Sequence, residues 1–452
     1  MARSFTGAKP LPLPHRAQRF AIVGWNFLVV YLRYKRVQKN KRLTPAERER
    51  AYSREHQRNA ERIYKTAARL EGLLIKTCQF ISSRADVAPP EYVAVLSRLQ
   101  DQVPTRPFPE IEEQIERELG RRPDELFATF ARKPVASASL AQVHRATTHD
   151  GRDVAVKVQY PGIERTVETD LQNLSLLVRL LAKIEKNYDF RWLMDEVCKY
   201  TPRELDFVLE GQSAERVAKD LQHRVDIHIP AVLWEYTARR VLVTEFVQGI
   251  KISDIPRLLE AGIDPNQVAL IMTEAYCEQI LVHGFFHADP HPGNLLVLPG
   301  PQVVFIDFGL SKDLPEGFRV NYARLTMAIM QQDDQAMADA FRALGFQTKP
   351  DDPQSLIALG RSFFDATGPD ARPYMDADVM PEVNERLSRI LTENPVTAIP
   401  PDILMIFRVI GLMSGLQKRL DSTVSMFDTI EPYAREQAEK HGMAPAGEAA
   451  AG

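Results

Sequence analysis

The chain has 452 residues, 44% of them hydrophobic and 26% charged, the balance of an ordinary globular protein with room for two lobes. Three scattered cysteines, Cys78, Cys198 and Cys277, exclude a disulfide framework and a structural zinc module and favour a reducing compartment. A net charge of −3 argues against a dedicated nucleic-acid binder, so no nucleic-acid partner is expected.

The average conceals an asymmetry. Residues 1–46 carry ten Lys or Arg and no Asp or Glu, which leaves the other 406 with 47 basic and 60 acidic side chains, or −13. Within the first segment, 1–45, lies an uncharged run at 20–32, FAIVGWNFLVVYL, followed by RYKRVQKNKR. As a helix that run spans roughly 20 Å, short of the roughly 20 residues a bilayer crossing needs. An apolar helix beside a polybasic flank suits an anchor lying on an anionic membrane surface. A disordered basic tail and a targeting peptide are the competing readings.

A helical extension is expected over 46–130, with one charged, amphipathic element from 46 to about 84 that ends at Pro89-Pro90, then a short helical pair. The texture turns β-rich over 131–250. Segments 139–147 and 153–159 flank Asp150-Gly151, a tight-turn signal that predicts a hairpin. A helical stretch from 163 to about 221 and two strands near 231–236 and 240–246 follow. The segment 251–440 reads as helical except for one hairpin after residue 294; its apolar run 403–416, interrupted by Arg408, reads as a buried helix. The end, 441–452, reads as disordered. The sum is an α+β, bilobal plan: helical extension, small β-rich lobe, large helical lobe, with a cleft expected between the lobes.

The strongest chemical signal is GFFHADPHPGNLLV at 284–297, followed by Ile306-Asp307-Phe308-Gly309. If 299–302 (PGPQ) is the turn, the hairpin pairs residues whose numbers sum to 601 and sets Asn294 opposite Asp307. Opposed residues have Cβ atoms roughly 4.5–5.5 Å apart, a spacing that lets two oxygens share one cation. Asn and Asp are hard donors, too few for a calcium cage and suited to Mg²⁺ that keeps waters and phosphate oxygens. Asp289, five residues before Asn294, reaches the same place as a base or substrate-positioning carboxylate. His287 is expected to pack against the Asp307 region, and His291 to serve the loop's structure. Together these residues form the H-x-D-x-x-x-x-N plus D-F-G pattern of protein-kinase-like phosphotransferases.

Such a site also needs a phosphate-pairing lysine. Strand alternation in Val154-Ala155-Val156-Lys157-Val158 puts the valines on one face and Ala155 with Lys157 on the other, a wall for a purine and its phosphates. Glu204, Asp206 and Glu210 offer carboxylates to hold the lysine. On one helix Asp206 and Glu210 share a face and Glu204 points roughly 120° away. Glu245 and Val247, at the end of the last strand, complete the nucleotide contacts. Where an ordinary kinase has G-x-G-x-x-G, this chain has Ala136, Ser137, Ala138 and Ser139, which predicts a stiffer loop. There is no A-P-E, and Asp307-Phe-Gly runs almost directly into a helix.

In these features the chain resembles the AarF/UbiB (ADCK-type) family of atypical kinases, which supports coenzyme Q biosynthesis in bacteria and mitochondria. The family's alanine-rich loop matches at 136–139, with Ser137 where alanine is usual; its K-x-G-Q matches Lys76-Thr77-Cys78-Gln79, and its E-x-D matches Glu204-Leu205-Asp206. The resemblance implies that Lys76 and Gln79 lie on a helix over the peptide-substrate position, that Lys76 pairs with Glu204, and that Lys157 pairs with Glu210. Cys78 replaces the usual glycine. The C-terminal transmembrane pair of some relatives has no counterpart here, and the basic N-terminus is its candidate substitute.

The leading expectation is a Mg²⁺–ATP-binding atypical kinase or ATPase, peripheral at the inner face of a membrane in the cytoplasm, or mitochondrial if the source is eukaryotic. The resemblance implies quinone or other prenyl-lipid metabolism. In this expectation Lys157, Glu210 and Asp289 are catalytic, Asn294 and Asp307 hold the metal, and Lys76, Gln79, Glu204 and Asp206 regulate. Two alternatives stand beside it: a nucleotide-gated lipid or protein binding module, and a small-molecule kinase of the choline or aminoglycoside type. Homodimerisation is left open.

Overall fold

In the computed structural model, which describes residues 4–82, 88–101, 105–184, 191–348, 353–367 and 400–442, the acid-free N-terminus is a packed helix. Leu13–Lys39 (α1) follows Pro12 and places Arg36 and Lys39 in its last turn, where cations suit the helix dipole. Val23 is buried among Ala67, Leu74 and Ile75. Arg19 donates through Nε and Nη2 to Asp170 at 2.8 and 2.7 Å. Fully buried Glu168 accepts the main-chain N–H groups of Phe5 and Thr6 at 2.9 and 2.7 Å, and the Thr6 hydroxyl at 2.9 Å. The disordered-tail reading is corrected: two buried carboxylates draw their donors from this segment, and buried charge without such donors is costly. Burial outweighs Arg19 at Asp170 and pushes its carboxyl up to about 6. Among the described residues no helix is long and apolar enough to cross a membrane.

Pro45–Leu70 (α2) starts on a capping box in which Thr44 and Glu47 satisfy each other's main-chain N–H. The single element expected from 46 to 84 is broken at Glu71 and Gly72, both at positive φ, and a second helix follows, Leu73–Ser82 (α3). Short helices Pro90–Leu96 (α4), Arg98–Asp101 (α5), Phe108–Leu119 (α6) and Pro123–Leu126 (α7) lead into Phe127–Phe130 (β1), Ala136–Ser137 (β2), Ala141–Thr148 (β3) and Asp153–Gln159 (β4). Gly151 turns the β3–β4 hairpin at φ 87°, and the ladder runs from Ala141–Gln159 to Thr147–Asp153. Val154, Val156 and Val158 point into one core with Ile111, Ile115, Val167 and Leu171. Helices Ile163–Ile184 (α8), Arg191–Tyr200 (α9) and Phe207–Asp220 (α10) follow, then Ile227–His228 (β5) and Val241–Glu245 (β6). The sheet order is β1-β3-β4-β6, with β2 on β3. The strand expected near 231–236 is instead a 3₁₀ turn, Trp234–Tyr236, with one bridge from Val232 to Thr244; the Thr237 hydroxyl, donating to Leu233 O at 2.9 Å, closes it.

The chain divides into two compact units, Met1–Gln212 with Ala231–Val247, and Ser213–Pro230 with Gln248–Gly452. The second holds Ile250–Lys251 (β7), Ile255–Glu260 (α11), Pro265–Cys277 (α12), Phe285–His287 (β8), Leu295–Leu298 (β9), Gln302–Phe305 (β10), Ser311–Asp313 (β11), Glu316–Gln331 (α13), Asp334–Leu344 (α14), Gln354–Thr367 (α15), Pro401–Arg419 (α16) and Met426–Lys440 (α17). Its sheet is ordered β5-β10-β9-β7, and β8 pairs with β11. That β8–β11 pair corrects the expectation of one hairpin in a helical lobe. The β9–β10 register is corrected too: the pairs run from Leu298–Gln302 to Leu295–Phe305, summing to 600. Only Pro299, Gly300 and Pro301 form the turn, with Gly300 at φ 111°. Asn294 therefore stands opposite Ile306, whose N–H donates to Asn294 O at 3.1 Å, and Asp307 lies two residues past the end of the ladder. Residues 368–399 and 443–452, read as helix and tail, lie outside the described residues.

Candidate functional site

In the first unit the site is carried by strand and helix. Lys157, on the face of β4 away from the valines, brings Nζ to 2.6 Å from Glu210 Oε1; the two side chains are 15% and 4% exposed. The same ammonium lies 5.1 Å from the centre of the Phe207 ring. Lys76 Nζ on α3 is 2.9 Å from Glu204 Oε2. The single helix expected to carry all three carboxylates is corrected: Glu204 is on a 3₁₀ turn, Asp206 is extended, and α10 begins at Phe207. Asp206 Oδ1 accepts from Val208 N at 3.1 Å, so it starts the helix that carries Glu210.

The surrounding residues are held firmly. Ala136 and Ser137 are laddered to Val143 and Gln142, Ala138 N–H donates to Ala141 O at 2.8 Å, and the Tyr160 hydroxyl lies 3.1 Å from Ser137 Oγ and donates to Ala138 O at 3.2 Å. Ser139 is buried. Ala155 shares the Lys157 face and is half-buried, while Glu245 pairs with Val154 across the sheet and receives Ala231 N–H on Oε2 at 3.4 Å. Val247 is half-buried just beyond. Gln79 Nε2 donates to Leu99 O at 2.9 Å. Cys78 is buried, and burial pushes its thiol up to about 12, so it packs as an inert apolar group. Sequence reasoning missed Gln159, two residues past Lys157: it is fully buried, and neither amide atom has a hydrogen-bond partner.

In the second unit the residues sit on loops tied by distant side chains. α12 runs into a π turn, Glu278–His283, a geometry frequent beside functional sites. Gly284 follows at φ 66°, where a Cβ would run into Arg319. Gln279 Oε1 then accepts His287 N–H at 2.9 Å. His287 Nε2 lies 2.5 Å from Asp307 O and Nδ1 2.9 Å from the Tyr276 hydroxyl. A carbonyl only accepts, so Nε2 carries the proton and Nδ1 accepts from Tyr276. Burial, the largest influence on this ring, holds its pKa below the ordinary value and keeps it neutral. His291 Nδ1 accepts Gly293 N–H at 3.0 Å, a loop-structural role.

Asn294 Nδ2 donates to Asp289 O at 3.2 Å, and Asp307 Oδ1 accepts Gly309 N–H at 3.0 Å. These bonds orient a half-buried amide before β9 and a half-buried carboxylate after β10. Among the described residues no three His, Cys, Asp or Glu cluster as metal ligands. Two hard oxygen donors fit Mg²⁺ that takes waters and phosphate oxygens for its other positions. Asp289 is not alone: Arg408 Nη2, from α16, lies 2.7 Å from its Oδ1, with side chains 5% and 20% exposed. Sequence reasoning read Arg408 only as a break in an apolar run, although an arginine inside a buried helix itself announces an acidic partner.

Residues 98–341 match the family described as the ABC1 atypical kinase-like domain. The chain is 34% identical over 386 residues to a probable serine/threonine-protein kinase, abkD, of Dictyostelium discoideum, covering 84% of this chain and 55% of that protein. It is 38% identical over 298 residues to AarF domain-containing protein kinase 1 of Xenopus tropicalis, covering 65% and 57%. It thus spans little more than half the length of these relatives. The solved structure of the Rv3197–erythromycin complex from Mycobacterium tuberculosis superposes with a TM-score of 0.59 at 23% identity, covering 85% of this chain and 97% of that one, a likeness of fold. The fold is kinase-like, α+β. The family match includes Lys157, Glu204, Glu210, Asp289, Asn294 and Asp307, and leaves out Lys76 and Arg408.

Proposed function

Because the chain belongs to the ABC1 atypical kinase-like family, we propose that it is a Mg²⁺- and ATP-dependent phosphotransferase whose acceptor is a hydroxyl group or water. The observation that carries this reading is the buried Lys157–Glu210 pair. A lysine held this way presents a fixed ammonium to phosphate oxygens. Asn294 and Asp307 are the metal ligands in this reading, and bound Mg²⁺ supplies neutralisation of the charge that builds on the transferred phosphoryl group. Asp289 takes the proton of the attacking hydroxyl as its oxygen bonds the γ-phosphorus and the bond to the departing ADP oxygen breaks. Ala155, Glu245 and Val247 line the base, and the laddered segment Ala136, Ser137, Ala138 and Ser139 covers the phosphates. Lys76 with Glu204, Gln79 and Asp206 hold α3 and the start of α10 and regulate access.

The reading extends to work at an anionic membrane surface, in quinone or other prenyl-lipid metabolism. Its support is α1: Trp25, Leu28 and Leu32 are 62%, 45% and 55% exposed, at i, i+3 and i+7 on one face, ahead of Lys35, Arg36 and Lys39. The test is ATP turnover with Mg²⁺, with and without anionic vesicles, beside the Asp307→Asn chain. Turnover that vanishes in the variant and rises with vesicles is expected; turnover equal in both proteins overturns the reading.

A further inference from the structure

A catalytic carboxylate needs an orientation as well as a charge. His287-Ala288-Asp289 stands where the ordinary kinase signature reads His-Arg-Asp, and Ala288 has no polar side chain. The guanidinium at Asp289 comes from 119 positions away, in the middle of α16. There Arg408 lies among Met405, Ile406, Val409 and Met413, all buried. A cation so placed is tolerated where it is paired, and the 2.7 Å contact to Asp289 Oδ1 is such a pairing. α16 is tied a second time: Asp402 Oδ1 accepts from Lys312 Nζ on β11 at 2.6 Å. Asp402 and Arg408 are about 9 Å apart along the helix. One helix therefore grips both the Asp289 loop and the strand that follows Asp307.

We propose that Arg408 is a positioning residue for phosphoryl transfer, fixing one oxygen of Asp289 so that the carboxylate meets the attacking hydroxyl in a single orientation. This rests on the reading of Asp289 given above. Arg408 touches neither nucleotide nor metal in this scheme, so its loss acts on kcat and spares ATP binding. α16, outside the matched family domain, supplies this contact from a separate helix.

The test compares the full chain with its Arg408→Met, Arg408→Lys, Asp289→Asn and Arg408→Met/Asp289→Asn forms, measuring ATP turnover, KM for ATP and Mg²⁺–ATP affinity by titration calorimetry. Arg408→Met is expected to lower kcat at least about 10-fold, within the range for a displaced general base, at unchanged KM and affinity. In the Asp289→Asn background it adds no further loss. Arg408→Lys recovers part of kcat, because an ammonium keeps the charge without the fork geometry. An active wild type with an equally active Arg408→Met chain overturns this inference alone, as does a loss of ATP affinity parallel to the loss of turnover. If Arg408→Met does not fold, Arg408→Lys carries the test: reduced kcat at unchanged KM supports positioning, and wild-type kcat overturns it. A wild type no more active than Asp307→Asn overturns the parent reading and this inference together.

Discussion

The candidate residues of the two units are held on different principles. Lys157 and Glu210 stand on a laddered strand and a helix, and their ion pair is also part of the first unit's interior. Asp289 and Asp307 stand on loops, held by hydrogen bonds and an ion pair from Tyr276, Gln279, His287 and Arg408, and Asn294 ends a 3₁₀ turn, Pro292–Asn294, tied to Asp289 O. Where a functional group rests on regular structure, fold and chemistry fail together; where it rests on loops tied from afar, chemistry can be lost while the fold stays.

The sharpest break in that contrast comes from Lys157→Met. It leaves Glu210 buried with its cation gone, a loss of about 3–5 kcal/mol, read as a lower urea midpoint for the first unit together with lost turnover. Asp307→Asn should do only the second. Its Oδ1 still accepts from Gly309 N–H, so the melting temperature holds while turnover falls at least about 10²-fold, the scale of a lost transition-state charge partner. If Asp307→Asn melts as early as Lys157→Met, the contrast is wrong.

Gly284→Ala probes the loop supports directly. The left-handed backbone and the contact with Arg319 predict about 1–3 kcal/mol of destabilisation, seen as an earlier melting transition in the second unit. Acid sharpens the comparison further. His287 has a depressed pKa in the folded chain, so its contribution is full above the unfolded value of 6.5 and is lost as pH falls, the unfolded chain taking the proton first. The slope from this one ring reaches at most about 1.4 kcal/mol per pH unit, and His287→Gln should flatten it. The smallest effect belongs to Gln159→Leu. Removing an amide with no partners should change stability by less than about 1 kcal/mol and in the stabilising direction. A simultaneous loss of ATP affinity would show that the amide serves a ligand.

The same contrast explains what the sequence disclosed. The β3–β4 hairpin was legible because Asp150-Gly151 marks its turn and three alternate valines mark its buried face; alternation gave the face of Lys157, and its candidacy came from its order relative to Asp289 and Asp307. The motif residues of the second unit were legible as types but not as geometry. Nothing local distinguishes a Pro-Gly-Pro turn from one that includes Gln302, and that one residue moved Asn294 from Asp307 to Ile306. β11, the polar tripeptide Ser-Lys-Asp, carries no strand propensity; it exists because β8 needs a partner. Arg408 announced its need for an acid but not which one, since a contact across 119 residues leaves no local trace.

The N-terminal clamp sets a timetable. Phe5 and Thr6 meet Glu168 across 163 and 162 residues, and Arg19 meets Asp170 across 151. At roughly 5–20 residues per second of synthesis, the first helix leaves the ribosome some 10–30 s before the carboxylates that will seat it. Val23 is as exposed as Trp25 only until Ala67, Leu74 and Ile75 emerge 44–52 residues later, while the basic segment stays open to an anionic bilayer until its carboxylates follow. Whatever binds it then must let go of the Val23 side and can keep the Trp25 side.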